Sequence, residues 1–230
     1  MIHVKTSYSA YQLVTGLWVL LLVLLTNCST ARIEQAKHVS NVSTLEEGEA
    51  IVVLARKQDR TNETEQDFLE CLNEELEDVS PQLVVFPTQE FMDSLFPWFE
   101  PRIAPVNPDS LFQLLAQKNV AKIISSLGIR HLIWLDGDTD EVDKGGNIAC
   151  TITPFGGGCF GLSWWDKESI YEASVWDLKL TQSVGKVSAD VSGTSYMPAL
   201  ILPIPLIART QNTACEELAG QLKDLMGFKK

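Results

Sequence analysis

An apolar segment near the amino terminus decides how much of the chain is left to fold, and where it folds. Residues 13–25 read LVTGLWVLLLVLL, and no acidic residue occurs among the first 27. A helix that crosses a bilayer needs about 20 apolar residues, whereas the apolar part of a secretory signal has about 7 to 15. With Lys5 in front of it, this segment is typical of an export signal. The alternative is an uncleaved signal anchor, which would hold the domain at the inner membrane.

The segment is followed by Leu25-Thr26-Asn27-Cys28, which resembles the lipobox of bacterial lipoproteins. In that family, leucine lies three residues before a cysteine that is lipidated on sulfur and becomes the first residue of the mature protein. Asn27 stands where the family usually has glycine, alanine or serine. Because Ser29 rather than aspartate follows the cysteine, the resemblance implies an outer-membrane protein that faces the periplasm. Cys28 is therefore the expected lipid anchor.

Assigning Cys28 to lipid leaves four cysteines for an oxidising compartment: Cys71, Cys150, Cys159 and Cys215. Four cysteines can pair in three ways. We favour Cys150 with Cys159, because proline and three glycines lie between them and let the chain turn back within a short distance. Cys71 would then join Cys215 and tie the first helix of the domain to the last. The alternative is that they are free thiols buried as small apolar side chains.

The charge balance is acidic, with 18 Lys and Arg residues against 30 Asp and Glu residues and a net charge of −12. Binding of phosphate backbones requires a basic face. A nucleic-acid partner is therefore not expected, and anionic headgroups would repel most of this surface. The acidic residues are best interpreted as keeping the domain soluble.

The composition divides the chain into three parts: an export signal at 1–27, a lipid anchor and flexible tether at 28–49, and one globular domain at 50–230. The tether is polar and has no apolar periodicity. Fully extended, it would reach only about 70 Å from the membrane. The remaining residues are enough for one domain with a hydrophobic core.

Hydrophobic periodicity predicts the elements of that domain. Short apolar runs predict strands at 50–57, 81–87, 129–138, 169–180 and 185–193. Apolar residues at intervals of three and four predict helices at 66–79, 89–96, 109–127 (one long or two short) and 213–226, the last capped by Thr213 with Glu216. The last strand alternates apolar and polar residues, so one face of the sheet is expected to be open. The prediction is an α/β (α+β) fold, with a mixed sheet of about five strands and helices on one or both faces.

This order of elements, together with LGIRHLIWLDGD and VWDLKLTQSVGKVSADVSG, resembles a domain shared by several envelope proteins. They are the curli-secretion channel lipoprotein, the lipoprotein activator of penicillin-binding proteins and the amino-terminal domain of TolB. The resemblance covers roughly residues 48–226 and transfers no functional residue. It implies a non-enzymatic binding domain tethered to the outer membrane. The channel members insert long alternating hairpins, and the segments around Gly156 are predicted to be too short for that.

Three motifs that suggest chemistry are better explained as structure. GGGCFG at 156–161 matches a dinucleotide fingerprint, but no helix is predicted after it, so it is interpreted as a glycine-rich turn. DGDTDEVD at 136–143 lacks the sixth-position glycine of a calcium loop and is interpreted as an acidic turn. His131 lies inside a strand and is interpreted as a packed residue. No cofactor and no metal site are expected.

The residues that we expect to bind a partner lie in two apolar segments, FGLSWW at 160–165 and YMPALILPIPLIA at 196–208. The second segment contains three prolines, which exclude an ordinary central strand. It is either buried against the sheet or exposed as a docking surface for a partner or the membrane. The expected contact residues are Trp164, Trp165, Tyr196, Leu200 and Ile204.

The sequence thus predicts a lipid-anchored periplasmic binding or scaffolding domain that docks an envelope protein complex. The alternative is an envelope hydrolase that uses a carboxylate pair, for which Asp136, Asp138 and Glu168 are the candidates. The sequence does not predict an oligomeric state.

Overall fold

The structure, a computed structural model, describes residues 29–37, 45, 48–55, 64–78, 83–100, 102–154 and 156–228. Cys28 and the apolar segment before it lie outside the described residues, and so does the lipidation prediction. Within the described ranges, no helix has both the length and the apolar character needed to cross a membrane.

The described residues form six strands and five helices. The strands are β1 (Ser29–Lys37), β2 (Ala50–Ala55), β3 (Val84–Val85), β4 (Ile129–Thr153), β5 (Gly156–Asp177) and β6 (Gln182–Ile201). The helices are α1 (Gln66–Asp78), α2 (Thr88–Ser94), α3 (Pro108–Leu115), α4 (Lys118–Ser126) and α5 (Thr210–Leu225).

The strands make one mixed sheet in the order β1-β6-β5-β4-β2-β3. Strands β4, β5 and β6 follow one another as antiparallel neighbours, while β2 runs parallel to both β4 and β3. The predicted α+β fold with a mixed sheet is confirmed.

Helices cover both faces of the sheet at β2 and β4. On one face, α1 and α5 pack on the apolar side of β5 and β6, where Tyr171 stacks on Phe68 with ring centroids 3.5 Å apart. On the other face, α2, α3 and α4 pack on β2 and β4 around Phe91, Leu111 and Trp134. Strands β5 and β6 are covered mainly on the first face, because their other face carries polar residues.

Strand β1 differs from the predicted tether. Residues 29–37 pair antiparallel with β6 over nine residue pairs, from Ser29 opposite Gly193 to Lys37 opposite Gly185. Sequence analysis missed this strand because it lies at a sheet edge and has no apolar alternation. The flexible part predicted for 28–49 is therefore shorter than expected.

Two helix starts also differ from the sequence prediction. Helix α5 begins at Thr210 rather than Thr213, because the buried Thr210 hydroxyl accepts a hydrogen bond of 2.9 Å from Ser169 on β5. Helix α2 begins at Thr88 rather than at the predicted Gln89, and the Thr88 hydroxyl donates to the Val53 carbonyl on β2 at 2.7 Å. Tertiary hydrogen bonds thus override the local capping signals.

Both favoured disulfides are present. Cys71 of α1 is joined to Cys215 of α5, 144 residues away, with their Cα atoms 6.4 Å apart. Cys150 of β4 is joined to Cys159 of β5. The first bond ties together the two helices that cover one face of the sheet, and disulfides of this kind are typical of an oxidising compartment.

His131 is fully buried in β4, as its strand position predicts, and neither ring nitrogen has a hydrogen-bond partner among the described residues. Burial lowers the pKa of His131 to about 4. Between this value and the ordinary pKa of about 6.5, only the unfolded chain binds the proton, so folding stability is lost as the pH falls through this range.

In the original protein, the free energy of unfolding is expected to fall by about 3 kcal/mol between pH 6.5 and pH 4 because of His131. Replacing His131 by leucine should remove this fall. At pH 7 the variant should be as stable as the original or more so, because it removes two unpaired buried nitrogens. Urea unfolding of both proteins at several pH values checks this. Parallel pH profiles for the two would contradict it.

Candidate interaction surface

Strands β4, β5 and β6 extend well beyond the helices and form a three-stranded arm. In β4 the continuous burial ends at Leu135, although the strand continues to Thr153. We define the arm as residues 145–165 of the β4–β5 hairpin together with residues 194–208. Two predictions are corrected here. The segments around Gly156 are long rather than short, and the acidic residues 136–143 belong to β4 instead of a turn.

The arm carries no charged residue. Residues 145–165 and 191–208 contain no Asp, Glu, Lys, Arg or His, in a chain whose overall content of charged residues is 21%. The charged residues stop at Lys144, Asp166 and Asp190 on the three strands. A surface that is both uncharged and exposed is unusual for a soluble domain and is typical of an interaction site.

Glycines allow the arm strands to approach closely. A Cβ atom at Gly146 would lie 2.2 Å from the Leu162 carbonyl oxygen, and one at Gly161 would lie 2.2 Å from that of Asn147. At Gly145, the Trp164 ring covers the backbone directly. The GGGCFG motif at 156–161 therefore begins strand β5 instead of forming the predicted glycine-rich turn, and its glycines serve the packing of the strands.

The Cys150–Cys159 disulfide joins two residues that lie opposite each other in the β4–β5 ladder. Their Cα atoms are 4.0 Å apart, which identifies a pair that exchanges no backbone hydrogen bonds. The backbone N–H and C=O of Cys150 therefore point away from β5. The same holds for Ile148 and Ile152, which lie two residues away on either side. These groups point towards the outer edge of β4.

Among the residues that the structure describes, that outer edge of β4 has no strand neighbour along the arm. Strand β2 pairs with β4 only as far as Leu135, and among the described residues no strand pairs with this edge over 140–153. The edge contains no proline and, beyond Lys144, no charge. Natural sheets usually protect long edges with such residues, so this edge is open to pairing.

The opposite edge of the arm, along β6, is covered by the chain itself. After Ile201 the chain turns back, and Tyr196 and Leu206 exchange two backbone hydrogen bonds of 2.9 and 2.7 Å. The Ile204 N–H donates to the Pro198 carbonyl at 3.0 Å. The proline-rich segment therefore protects β6 as a return segment. This explains why prolines are tolerated here, since no strand within the described ranges pairs with this edge of β6 beyond Gly193.

One face of the arm is apolar and aromatic. Because side chains alternate along strands, Phe160, Leu162 and Trp164 of β5 share a face with the β6 residues opposite them. Those residues are Leu200, Pro198 and Tyr196, respectively. Phe160 and Leu200 at the outer end are each 73% exposed. We call this surface, together with the exposed Ile204 beside it, the aromatic face.

Four of the five predicted contact residues thus come together on this face: Trp164, Tyr196, Leu200 and Ile204. Trp165 does not join them, because it is on the other face of β5, opposite the buried Ser195. Of the two possibilities left open for 196–208, exposure applies to most of the apolar side chains, while Ala199 and Ala208 are buried. Sequence reasoning missed the open edge of β4, for which the lack of charge in 145–165 was the available signal.

The hydrolase candidates lie where the arm joins the domain. Asp136 and Asp138 are on β4, and the latter is opposite Ile170, diagonal to Glu168 on β5. All three are on the face of the sheet that β5 and β6 leave open, and all are partly exposed. No group of three metal-ligating side chains occurs within the described ranges. This arrangement offers a hydrated acidic surface next to the aromatic face.

A cavity of about 290 Å³ lies at the other end of the sheet, between α3, α4 and the turn that follows β5. Its walls include Leu115, Ile124 and Trp176. Arg130 lines it and is held by Asp177 on Nε at 3.0 Å and on Nη2 at 2.8 Å, with Glu49 on Nη1 at 3.3 Å. The charged groups at this cavity therefore neutralise one another.

No family model and no curated protein matches this sequence. Among solved structures, it is similar to a PelC dodecamer from Paraburkholderia phytofirmans, at 11% identity and a TM-score of 0.41, covering 86% of this chain and 99% of that one. A second crystal form of PelC gives 8% identity, a TM-score of 0.37 and coverages of 88% and 100%. For hypothetical protein CT253 from Chlamydia trachomatis, the identity is 11% and the TM-score is 0.23, covering 65% of this chain and 73% of that one. At these TM-scores the similarities assign no family.

Proposed function

We propose that this chain is an outer-membrane lipoprotein that faces the periplasm and acts as a non-enzymatic binding or scaffolding domain in an envelope complex. The observation that carries the proposal is the arm, which exposes a long uncharged surface on an otherwise acidic domain. The lipobox-like sequence at Cys28 and the two disulfides support an exported, membrane-attached protein.

The open edge of β4 is the part of the arm that suits a protein partner. The backbone N–H and C=O groups of Ile148, Cys150 and Ile152 point outwards at every second residue, as in a strand whose edge is unpaired. An extended segment of an envelope protein could pair with this edge by strand addition. Backbone hydrogen bonds would provide affinity, and the exposed side chains of β4 would provide selectivity.

The alternative function, a hydrolase, has less support. Asp136, Asp138 and Glu168 lie on a flat strand surface, and catalytic carboxylates normally line a concave site that binds the substrate. The partly buried hydrogen bonds nearby join elements of the fold instead. Tyr171 donates to Glu65 at 2.7 Å, and Glu65 accepts from the Thr139 N–H at 2.8 Å. We therefore propose structural roles for this network.

Strand addition is tested by placing a photo-crosslinking amino acid at Thr151, an exposed position on β4, in cells. We expect one discrete crosslinked envelope protein. Replacing Ile152 by proline removes an outward N–H without breaking the β4–β5 ladder, and should reduce the product roughly fivefold, because one hydrogen bond contributes about 1 kcal/mol.

Replacing Ile152 by valine is the matched control, since it retains the N–H and should retain the product. The same crosslinker at Ser125, on the exposed side of α4, reports non-specific neighbours. Identical products from Thr151 and Ser125, or a product indifferent to proline, would contradict partner binding at this edge.

A further inference from the structure

We infer that the aromatic face of the arm lies flat on the membrane surface, beside the lipid attached to Cys28. This inference rests on the proposed function for the lipid anchor, and it names the partner of a surface that the proposed function leaves open. The partner is the phospholipid bilayer.

The first argument is the position of the anchor. Strand β1 begins at Ser29, directly opposite Gly193 of β6. Cys28 is bonded to Ser29, and consecutive Cα atoms are about 3.8 Å apart, so the anchor lies close to this end of β1. The acyl chains would therefore leave the protein near Gly193 of β6. The aromatic face begins three residues further along this strand, at Tyr196. An anchor at this level brings the arm to the bilayer.

The second argument is the distribution of charge. On the open face of β5, Asp166 and Glu168 lie on the domain side of Trp164, and residues 160–164 on its outer side carry no charge. An acidic domain is repelled by anionic headgroups, and burying an unpaired carboxylate in lipid is costly. The uncharged arm can approach the bilayer without either cost. The boundary between charged and uncharged residues coincides with the level of the anchor.

The third argument is the chemistry of the face itself. Trp164 and Tyr196 form a cross-strand pair at the end near the anchor, and Phe160 with Leu200 forms the pair at the outer end. Tryptophan and tyrosine prefer the boundary between headgroups and acyl chains, because they combine an apolar ring with a polar group. The aliphatic Leu200 and Ile204 suit shallow burial beside them.

The open edge of β4 defines the orientation. Unpaired backbone N–H and C=O groups cost several kcal/mol each in hydrocarbon, so a lone arm with a free edge would be unstable if it were plunged into the bilayer. Lying flat, it buries the side chains of one face while both edges remain hydrated among the headgroups. The β4 edge then stays accessible to a protein partner.

The test uses the full-length lipoprotein, purified from membranes and reconstituted into vesicles of phosphatidylethanolamine and phosphatidylglycerol. Part of the phospholipid carries bromine on the upper acyl chain, which quenches nearby tryptophan fluorescence. The chain from Cys28 onwards has five tryptophans, so contact by Trp164 alone should quench about one fifth of the emission. Quenching should persist in high salt, because no charge is involved.

Trp164→Phe should abolish this quenching. Trp165→Phe is the matched control and should retain it, because Trp165 is on the opposite face of the same strand. Phe160→Asp combined with Leu200→Asp should lift the arm off the bilayer and abolish quenching while leaving the fold intact, since both side chains are exposed. Quenching that is absent, or equally lost with Trp165→Phe, would overturn the inference.

The intact mass of the same preparation separates the two proposals. A protein without acyl chains at Cys28 that leaves the vesicles would refute the lipoprotein function. An acylated, vesicle-bound protein whose Trp164 is not quenched would refute only the membrane contact of the aromatic face and would leave that face to a protein partner.

Discussion

Replacing both Cys71 and Cys215 by serine is expected to lower the free energy of unfolding by about 4 to 5 kcal/mol. The bond closes a loop with a sequence separation of 144 residues, and the entropy that such a loop removes from the unfolded chain grows with its length. This loss is a large fraction of the stability of a typical domain, so the variant should be unfolded or nearly so at 37 °C. Urea unfolding followed by circular dichroism measures the change.

The matched control is the serine variant of Cys150 and Cys159. This bond closes a loop with a sequence separation of only nine residues within a hairpin that extends beyond the helices, so the core should unfold at nearly the same urea concentration as in the original protein. Equal losses from the two variants would show that the helix-to-helix bond has no special role in stability.

Replacing Asp177 by alanine is expected to cost about 3 to 5 kcal/mol, because it leaves the Arg130 guanidinium buried without its main partner. The two side chains are only 3% and 5% exposed, and Asp177 also accepts a hydrogen bond from the Leu180 N–H at 2.9 Å. Urea unfolding at pH 7 measures the effect.

Lys179→Ala serves as the control for Asp177. Lys179 is 58% exposed and lies 3.4 Å from Glu49, so its removal should cost less than about 1 kcal/mol. Adding Arg130→Met to Asp177→Leu should recover much of the loss, since no buried charge then remains unpaired. A double variant that is no better than Asp177→Ala would argue that shape, rather than charge, decides stability at this site.

The parts of the fold that the sequence predicts are those that pack on the core. Strand β2 is a continuous apolar run because both of its faces are covered, and α1 presents Phe68, Leu72 and Leu76 at helical spacing. The favoured disulfide pairs follow from a glycine-rich turn and from two apolar helix faces. For β2, α1 and the Cys71–Cys215 pair, burial leaves a periodic signal in the sequence, whereas the Cys150–Cys159 pair is predicted only from its short, turn-forming spacing.

The missed parts have no such signal. Beyond Leu135, β4 continues with acidic residues and glycines, because backbone pairing with β5 does not require one face to be apolar outside the core. Strand β1 is polar and pairs at an edge. The contact residues of the arm were recognisable as apolar, but their division between two faces depended on the register of β5 with β6, which separates Trp164 from Trp165.

The pairing of β1 determines how the proposed lipoprotein would encounter other molecules. Because β1 starts one residue after Cys28, no flexible linker would separate the anchored residue from the sheet. The domain could neither move away from the membrane nor rotate freely. It would keep one orientation relative to the membrane as it diffuses. Its search for partners would be confined to two dimensions, so any partner must itself be held at, or delivered to, the plane of the same membrane.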